Sequence, residues 1–127
     1  MKRIFFIRSL VERLRSPEPP RVSYRKTRKQ GRYRVFSGGR FHPKDEGIII
    51  EFYKTEEVDP KKLTDEDARL AGIETAKELL GLFQKWYRGI PEKMYRNWFR
   101  IVKIENAPQN SPFSPISAVE VKKAFKR

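Results

Sequence analysis

The amino-acid sequence predicts an α+β fold in which a closed or covered β-sheet packs against helices. The first observation is the run Gly47–Tyr53 (GIIIEFY), which is too continuously apolar for a half-exposed strand and is typical of a central one. The second is an alternation of polar and apolar residues on both sides of residue 30, which indicates extended chain. The third is a pair of helix-start signals between residues 63 and 78. The length of 127 residues suits one domain.

The first twenty residues predict a strand, a short helix and a turn. Arg3–Ile7 is predicted to be a strand, and Ser9–Arg15 a helical turn that Ser9 caps and whose apolar residues lie on one side. The next segment, Ser16–Pro20 (SPEPP), must be a turn, because three prolines within four residues exclude both helix and strand pairing.

The most basic part of the sequence, from Arg21 to Lys44, holds nine Lys or Arg residues and no acid. Its alternating stretches, Arg21–Arg28 and Arg32–Ser37, are predicted to form a β-hairpin connected by Lys29–Gly31. A hairpin of this kind would present a row of cations on one face. The following segment, Asp45–Gly47, is predicted to be a turn before the central strand.

The helix signals come in pairs. Thr64 with Asp67 forms a capping box that starts a short helix. Gly72 is predicted to end this helix. Thr75 with Glu78 forms a second box, which opens a longer helix. The apolar stripe of that helix is assigned to the core and comprises Leu79, Leu80, Phe83, Trp86 and Tyr87.

The last predicted strand is Asn97–Glu105, in which Trp98 belongs either to the core or to the wall of a cleft. The segment after it, Ala107–Pro115, is rich in Pro, Asn and Ser and is predicted to be a linker. The chain then continues as a short basic tail, Ile116–Arg127, which either contacts phosphates or docks on the domain.

Charge limits the classes of partner. The formal net charge of +13 predicts attraction to polyanions, meaning nucleic acid or an anionic membrane surface. No apolar run approaches the ~20 residues that span a bilayer, and the start of the chain does not resemble a signal peptide, so we expect a cytoplasmic protein without a membrane partner. With no cysteine and a single histidine, the chain is expected to hold no metal and no cofactor.

The segment Leu63–Tyr87 (LTDEDARLAGIETAKELLGLFQKWY) resembles the helical signature of the ASCH domain, a branch of the PUA-like superfamily. The resemblance implies a small β-barrel of about five to six strands, with two or three helices packed on its side and a cleft between them. It implies a small stand-alone prokaryotic or archaeal member with a domain over residues 1–106, followed by the linker and basic tail, 107–127. The wider superfamily mainly binds RNA.

Some ASCH proteins are amidohydrolases that act on acetylated cytidine, and ribonuclease activity also occurs in the family. The amidohydrolases use a G-x-K-x-x-T-x-R pattern and a later Glu. Here Ser23 and Arg25 match the last two positions, but Pro20 stands where the lysine belongs. A hydrolase would therefore need Ser23, Lys26 and Glu51 to converge. For Glu51 the alternatives are a strand salt bridge, a partner for Arg25 and the catalytic acid.

The interpretation we favour is an RNA-binding protein that is not an enzyme. RNA, single-stranded or structured, is the expected partner, DNA is an alternative, and association with a ribosome or another ribonucleoprotein is a third. Tyr33 and Val35 are expected to face the interior. The candidates for binding phosphates are Arg21, Arg25, Lys26, Arg28, Lys29, Arg32, Arg34 and Arg40. The candidates for stacking on bases are Tyr24, Phe36 and Phe41.

Overall fold

In the part of the chain that the structure describes, one curled, mixed sheet of five strands forms a half-barrel that three helices cover in part. The computed structural model describes residues 1–39 and 41–105; Arg40 and the predicted linker and tail lie outside the described residues. The strands are β1 (Lys2–Phe5), β2 (Val22–Arg25), β3 (Gly31–Ser37), β4 (Lys44–Val58) and β5 (Met94–Ile104). The helices are α1 (Arg8–Leu14), α2 (Asp65–Leu70) and α3 (Ala76–Tyr87), and a 3-10 turn, Pro60–Lys62, precedes α2.

The strand order across the sheet is β1-β3-β4-β5-β2. β1 pairs with β3 in parallel, and the other three pairings are antiparallel. The predicted α+β class is confirmed, and so is β4 as a central strand. The sheet is not closed, however, because β1 and β2 are its two edges.

The predicted hairpin is wrong. β2 pairs with β5, placing Ser23 opposite Asn97, whereas β3 pairs with β4 and β1. Two strands, β4 and β5, therefore separate the halves of the basic segment in the sheet. The physical reason is that alternation fixes the extended conformation and the two faces of a strand, but does not select the partner.

Apolar side chains form two cores, one on each face of the sheet. Tyr33 and Val35 are buried in the first, as predicted, beneath α1. The second core lies where β2 and β5 meet α2 and α3. Other members of the first core are Ile4, Phe6, Val11, Leu14, Ile48, Ile50, Phe52 and Phe99. The second comprises Val22, Tyr24, Ala68, Ala71, Leu79, Phe83 and Met94.

The predicted capping box forms in full at α2 and in half at α3. Thr64 and Asp67 make the reciprocal capping box of α2, and the hydroxyl of Thr75 accepts from the backbone N–H of Glu78 at the start of α3. Gly72, just after α2, has a φ of +81° and lies against Pro20, which explains why the helix ends there. For α1 the prediction is wrong: the residue before the helix is Ile7, and no side chain caps it.

The predicted turn at Asp45–Gly47 belongs to β4. The register with β3 shifts between Arg34 and Phe36, and Gly47 has a φ of +72°, so these residues form an irregularity within a long strand. Within residues 1–39 and 41–105, no helix is long and apolar enough to cross a membrane.

Candidate functional site

A cavity of about 620 Å³ opens between the two edge strands and the helices. Its walls come from the ends of β1 and β2, the loop at Gly38 and Gly39, and the side of α3. Its aromatic lining residues are Phe5, Phe6, Tyr24, Phe83, Trp86 and Tyr87. Trp86 is 41% exposed, so its predicted place in the core is corrected: α3 directs Phe83 into the core and Trp86 to the cavity.

Arg25 links the two edges of the sheet at this cavity. Its Nε donates to the hydroxyl of Ser23 and its Nη2 donates to the backbone carbonyl of Phe5, both at 2.8 Å. The guanidinium also lies over the ring of Phe6, 5.1 Å from the centroid. Burial lowers its pKa. No acidic side chain in the described part of the chain forms a salt bridge with it.

Lys29 lies near this guanidinium, and Lys2 lies near Lys29. Lys2 and Lys29 place their ammonium groups 5.6 and 5.7 Å from the centroid of the Tyr33 ring. Burial lowers the pKa of Lys29, and the positive charges of Arg25 and Lys2 lower it further. Lys2, Arg25 and Lys29 are called the cation cluster below. Over residues 1–39 and 41–105, no carboxylate is paired with any of the three.

The register explains how residues far apart in sequence meet in the cation cluster. Lys2 lies directly opposite Tyr33, so both side chains project from the same face of the sheet. Arg25 is two residues from Ser23, which lies opposite Asn97, and Asn97 shares that face with buried Phe99. The curl of the sheet then brings its two edges together.

Two exposed cations stand beside the cluster. Lys26 places its ammonium 5.5 Å from the ring centroid of Tyr87, which lines the cavity. The guanidinium of Arg28 is 4.7 Å from the ring centroid of Tyr95. Both contacts leave the charged groups on the surface.

The segment that carries these cations is held by Asn97, which is fully buried. Its Oδ1 accepts from the backbone N–H of Lys29 at 2.9 Å and from the hydroxyl of Thr55 at 2.8 Å. Its Nδ2 donates to the carbonyls of Ser23 and Thr27, at 3.3 and 3.1 Å. One side chain thus binds the strand and the loop after it, and fixes the backbone positions of the cation cluster.

The three residues of the hydrolase hypothesis do not converge. Ser23 lines the cavity, but the only side-chain group that bonds its hydroxyl in the described residues is the Arg25 guanidinium. Lys26 lies against Tyr87 instead. Glu51 forms salt bridges with Arg100 at 3.3 Å and with Arg32 at 4.0 Å. Of the three alternatives for Glu51, the structure therefore supports the strand salt bridge.

Several sequence candidates lie away from the cavity mouth. Arg32 and Arg34 project from the face opposite Tyr33, and Arg34 is neutralised by Asp45, at 2.7 Å, and by Glu105. Because both carboxylates pair with Arg34, its guanidinium is already neutralised and is not expected to bind a phosphate.

The remaining candidates fall in different environments. Tyr24 is 4% exposed and donates its hydroxyl to the carbonyl of Asp67, so stacking on a base is excluded. Phe36 is half-buried beneath the guanidinium of Arg3, whereas Phe41 is exposed. Arg21 lines a separate open groove with Tyr53, Arg69, Trp98 and Arg100. Trp98 also packs against the second core, so it belongs to both a wall and the core.

A polar network fixes the second core behind the cavity. Arg96 donates to Glu56 at 2.8 Å and to Asp67 at 3.0 Å, and the indole N–H of Trp98 donates to Glu56 at 2.8 Å. The hydrogen bond from Trp98 and the one from Arg96 lower the pKa of Glu56 to about 2. The network therefore ties α2 to β4 and β5.

The low pKa of Glu56 predicts acid sensitivity of the fold. A carboxyl whose pKa is depressed stabilises the folded state above its unfolded pKa, near 4.5, and loses that contribution as pH falls towards 2. The loss should be on the order of 1 kcal/mol, because the side chain is 33% exposed and water screens the pair. Between pH 7 and pH 2, the melting temperature of the wild type should exceed that of Glu56→Gln at neutral pH, and the two melting temperatures should converge in acid. A constant difference would contradict the ionic origin.

Among the described residues, no group of three His, Asp or Glu side chains could hold a metal ion. Comparison of the chain with protein-family models, with curated proteins and with solved structures finds no match.

Proposed function

We propose that this chain is an RNA-binding domain of the ASCH type, with a PUA-like architecture, which holds an unpaired base in the aromatic cavity and phosphates on the cations at its mouth. The observation that carries the proposal is the cation cluster, which adjoins an aromatic cavity and has no paired carboxylate among the described residues. The ASCH-like segment adds support, since it supplies α2 and α3, and α3 lines the cavity.

Charge favours a polyanion as the partner. Three cations near one another repel, and Lys29 and Arg25 are also partly desolvated. An anion would relieve both costs. Phosphates of a nucleic acid meet this requirement, and their binding gains further free energy from the release of condensed counterions.

The cavity favours unpaired bases over duplex. Its volume lies in the ~300–1,000 Å³ range of small-ligand sites, which fits a single planar base, and its lining includes several aromatic side chains. Bases in a duplex are stacked and paired, so they expose only edges, whereas unpaired bases present faces that aromatic rings can stack on. The half-exposed Trp86 and the ring of Tyr87 are the groups we expect to make that contact.

Among the described residues, no general base contacts the Ser23 hydroxyl, as a hydrolase would require. The guanidinium of Arg25 donates to Ser23 and stays protonated, so it does not accept the proton of the hydroxyl. Glu46 bonds Ser37, which lines the cavity, but Arg15 pairs with Glu46 at 3.7 Å, and no contact joins Glu46 to Ser23. These contacts favour binding without catalysis.

Fluorescence anisotropy with single-stranded RNA, duplex RNA and single-stranded DNA, at 50 to 300 mM salt, tests the proposal. The cation cluster and the two cations beside it, Lys26 and Arg28, predict a slope of log affinity against log salt of about −3.5 for single strands, at ~0.7 for each of five contacts. Single-stranded RNA should bind at least tenfold more tightly than duplex RNA. RNA should also quench tryptophan emission in wild type but much less in Trp86→Phe. Equal affinity for duplex and single strands, or the same quenching in both proteins, would refute the cavity as the base site.

A further inference from the structure

Arg25, on β2, differs from the arginines of β3 and β5, each of which pairs with a carboxylate. Arg34 is paired with two carboxylates, Arg96 with two and Arg100 with one. Arg25 instead uses its Nε and Nη2 on neutral oxygens, and its Nη1 donates to no described group. The fold therefore neutralises the arginines of β3 and β5 but keeps the positive charge of Arg25 on β2.

The cluster also collects more charge than one bridging phosphate carries. Lys2, Arg25 and Lys29 together hold three positive charges, and the two ammonium groups lie at similar distances from one ring, that of Tyr33. A phosphodiester within a strand carries one negative charge. A phosphomonoester at the end of a strand carries about −1.5 to −2 at neutral pH and has three acceptor oxygens. The terminal group therefore matches the number of charges and donors better.

We infer that Lys2, Arg25 and Lys29 form a site for a terminal phosphomonoester, so that the chain recognises the phosphorylated end of an RNA strand whose last nucleotide enters the cavity. This inference rests on the proposed function in taking RNA as the molecule that bears the phosphate. The match between the three cations and a phosphomonoester does not depend on RNA. Arg25 supplies the connection, because it belongs to the cluster and lines the cavity.

The test uses the full chain and one eight-nucleotide RNA in four forms. Two forms carry a phosphate or a hydroxyl at the 5′ end and a fluorescent label at the 3′ end. The other two carry a phosphate or a hydroxyl at the 3′ end and the label at the 5′ end. One end should show at least tenfold tighter binding with phosphate than with hydroxyl, and the comparison identifies which end. In Lys2→Gln/Lys29→Gln, the preference should fall below twofold while the hydroxyl form still binds. Lys61→Gln/Lys62→Gln, which removes the same charge from the exposed turn before α2, should keep the preference.

Equal affinity of phosphate and hydroxyl forms at both ends, with RNA still bound, would overturn the inference and leave the proposed function standing. A preference that survives in Lys2→Gln/Lys29→Gln would also overturn it. If no RNA binds, the melting temperature of the protein is measured with increasing concentrations of a nucleoside 5′-monophosphate, the 3′-monophosphate or the unphosphorylated nucleoside. Stabilisation by a monophosphate that Lys2→Gln/Lys29→Gln abolishes would support the phosphate site while the proposed function fails. No such stabilisation would overturn both.

Discussion

Replacing Arg25, Lys26 and Arg28 together by glutamine is expected to weaken the binding of single-stranded RNA about a hundredfold at moderate salt, if each charge contributes about 1 kcal/mol. The three lie on or just after β2, where Arg25 lines the cavity and Lys26 contacts its lining residue Tyr87, and glutamine keeps much of the side-chain length while removing the charge. The slope of log affinity against log salt should become shallower by about 2, which is ~0.7 for each lost phosphate contact. Anisotropy titrations at four salt concentrations measure both quantities.

The matched control is Lys61→Gln/Lys62→Gln/Lys103→Gln. It removes an equal number of positive charges from exposed residues outside the cavity. It therefore distinguishes binding at a local site from general attraction of RNA to a basic protein. Its affinity should fall less than threefold. Equal weakening in the two triple variants would show that RNA responds only to net charge and that β2 carries no site.

Replacing Asn97 by alanine is expected to reduce the free energy of unfolding by about 3 kcal/mol. The change removes four hydrogen bonds and leaves a buried backbone group of Ser23 and partly buried ones of Thr27 and Lys29 without this partner. Urea denaturation gives the loss. Hydrogen exchange at the amide of Lys29 should accelerate as well, because that N–H donates to Asn97.

Two variants calibrate this result. Thr55→Val removes only the hydroxyl that donates to Asn97 and should cost about 1 kcal/mol. Gln30→Ala removes an exposed amide in the same connection and should change stability by less than about 0.5 kcal/mol. If Asn97→Ala were no more destabilising than Gln30→Ala, the amide would not be what holds the connection.

Local chemistry made the helices and the inward residues of β3 predictable. Thr64 with Asp67 and Thr75 with Glu78 mark their helix starts because a cap involves residues within one turn of the chain. Period-two alternation likewise predicted that Tyr33 and Val35 are buried. The candidate site was less accessible to such reasoning: Arg25, Lys26, Arg28 and Lys29 were candidates from charge alone, whereas Lys2 was missed.

Asn97 was also missed, although a signal for it exists. It stands two residues before Phe99, so the alternation of β5 directs its polar side chain to the same buried face. A polar residue at an inward position needs partners, and those partners identify it as a support for neighbouring chain. The sequence did not reveal that they lie in β2 and in the connection before β3.

The sequence by itself determined the central apolar strand β4, the caps of α2 and α3, and the excess of positive charge, because each depends on residues close together in the chain. Only the tertiary structure decided that β2 and β3 are not a hairpin and that Arg32 and Arg34 belong to a different face from Arg25. It also decided that Lys2 joins Arg25 and Lys29. Strand partners are chosen by burial and hydrogen bonds between distant segments, and the curl of the sheet brings its two edges to one cavity.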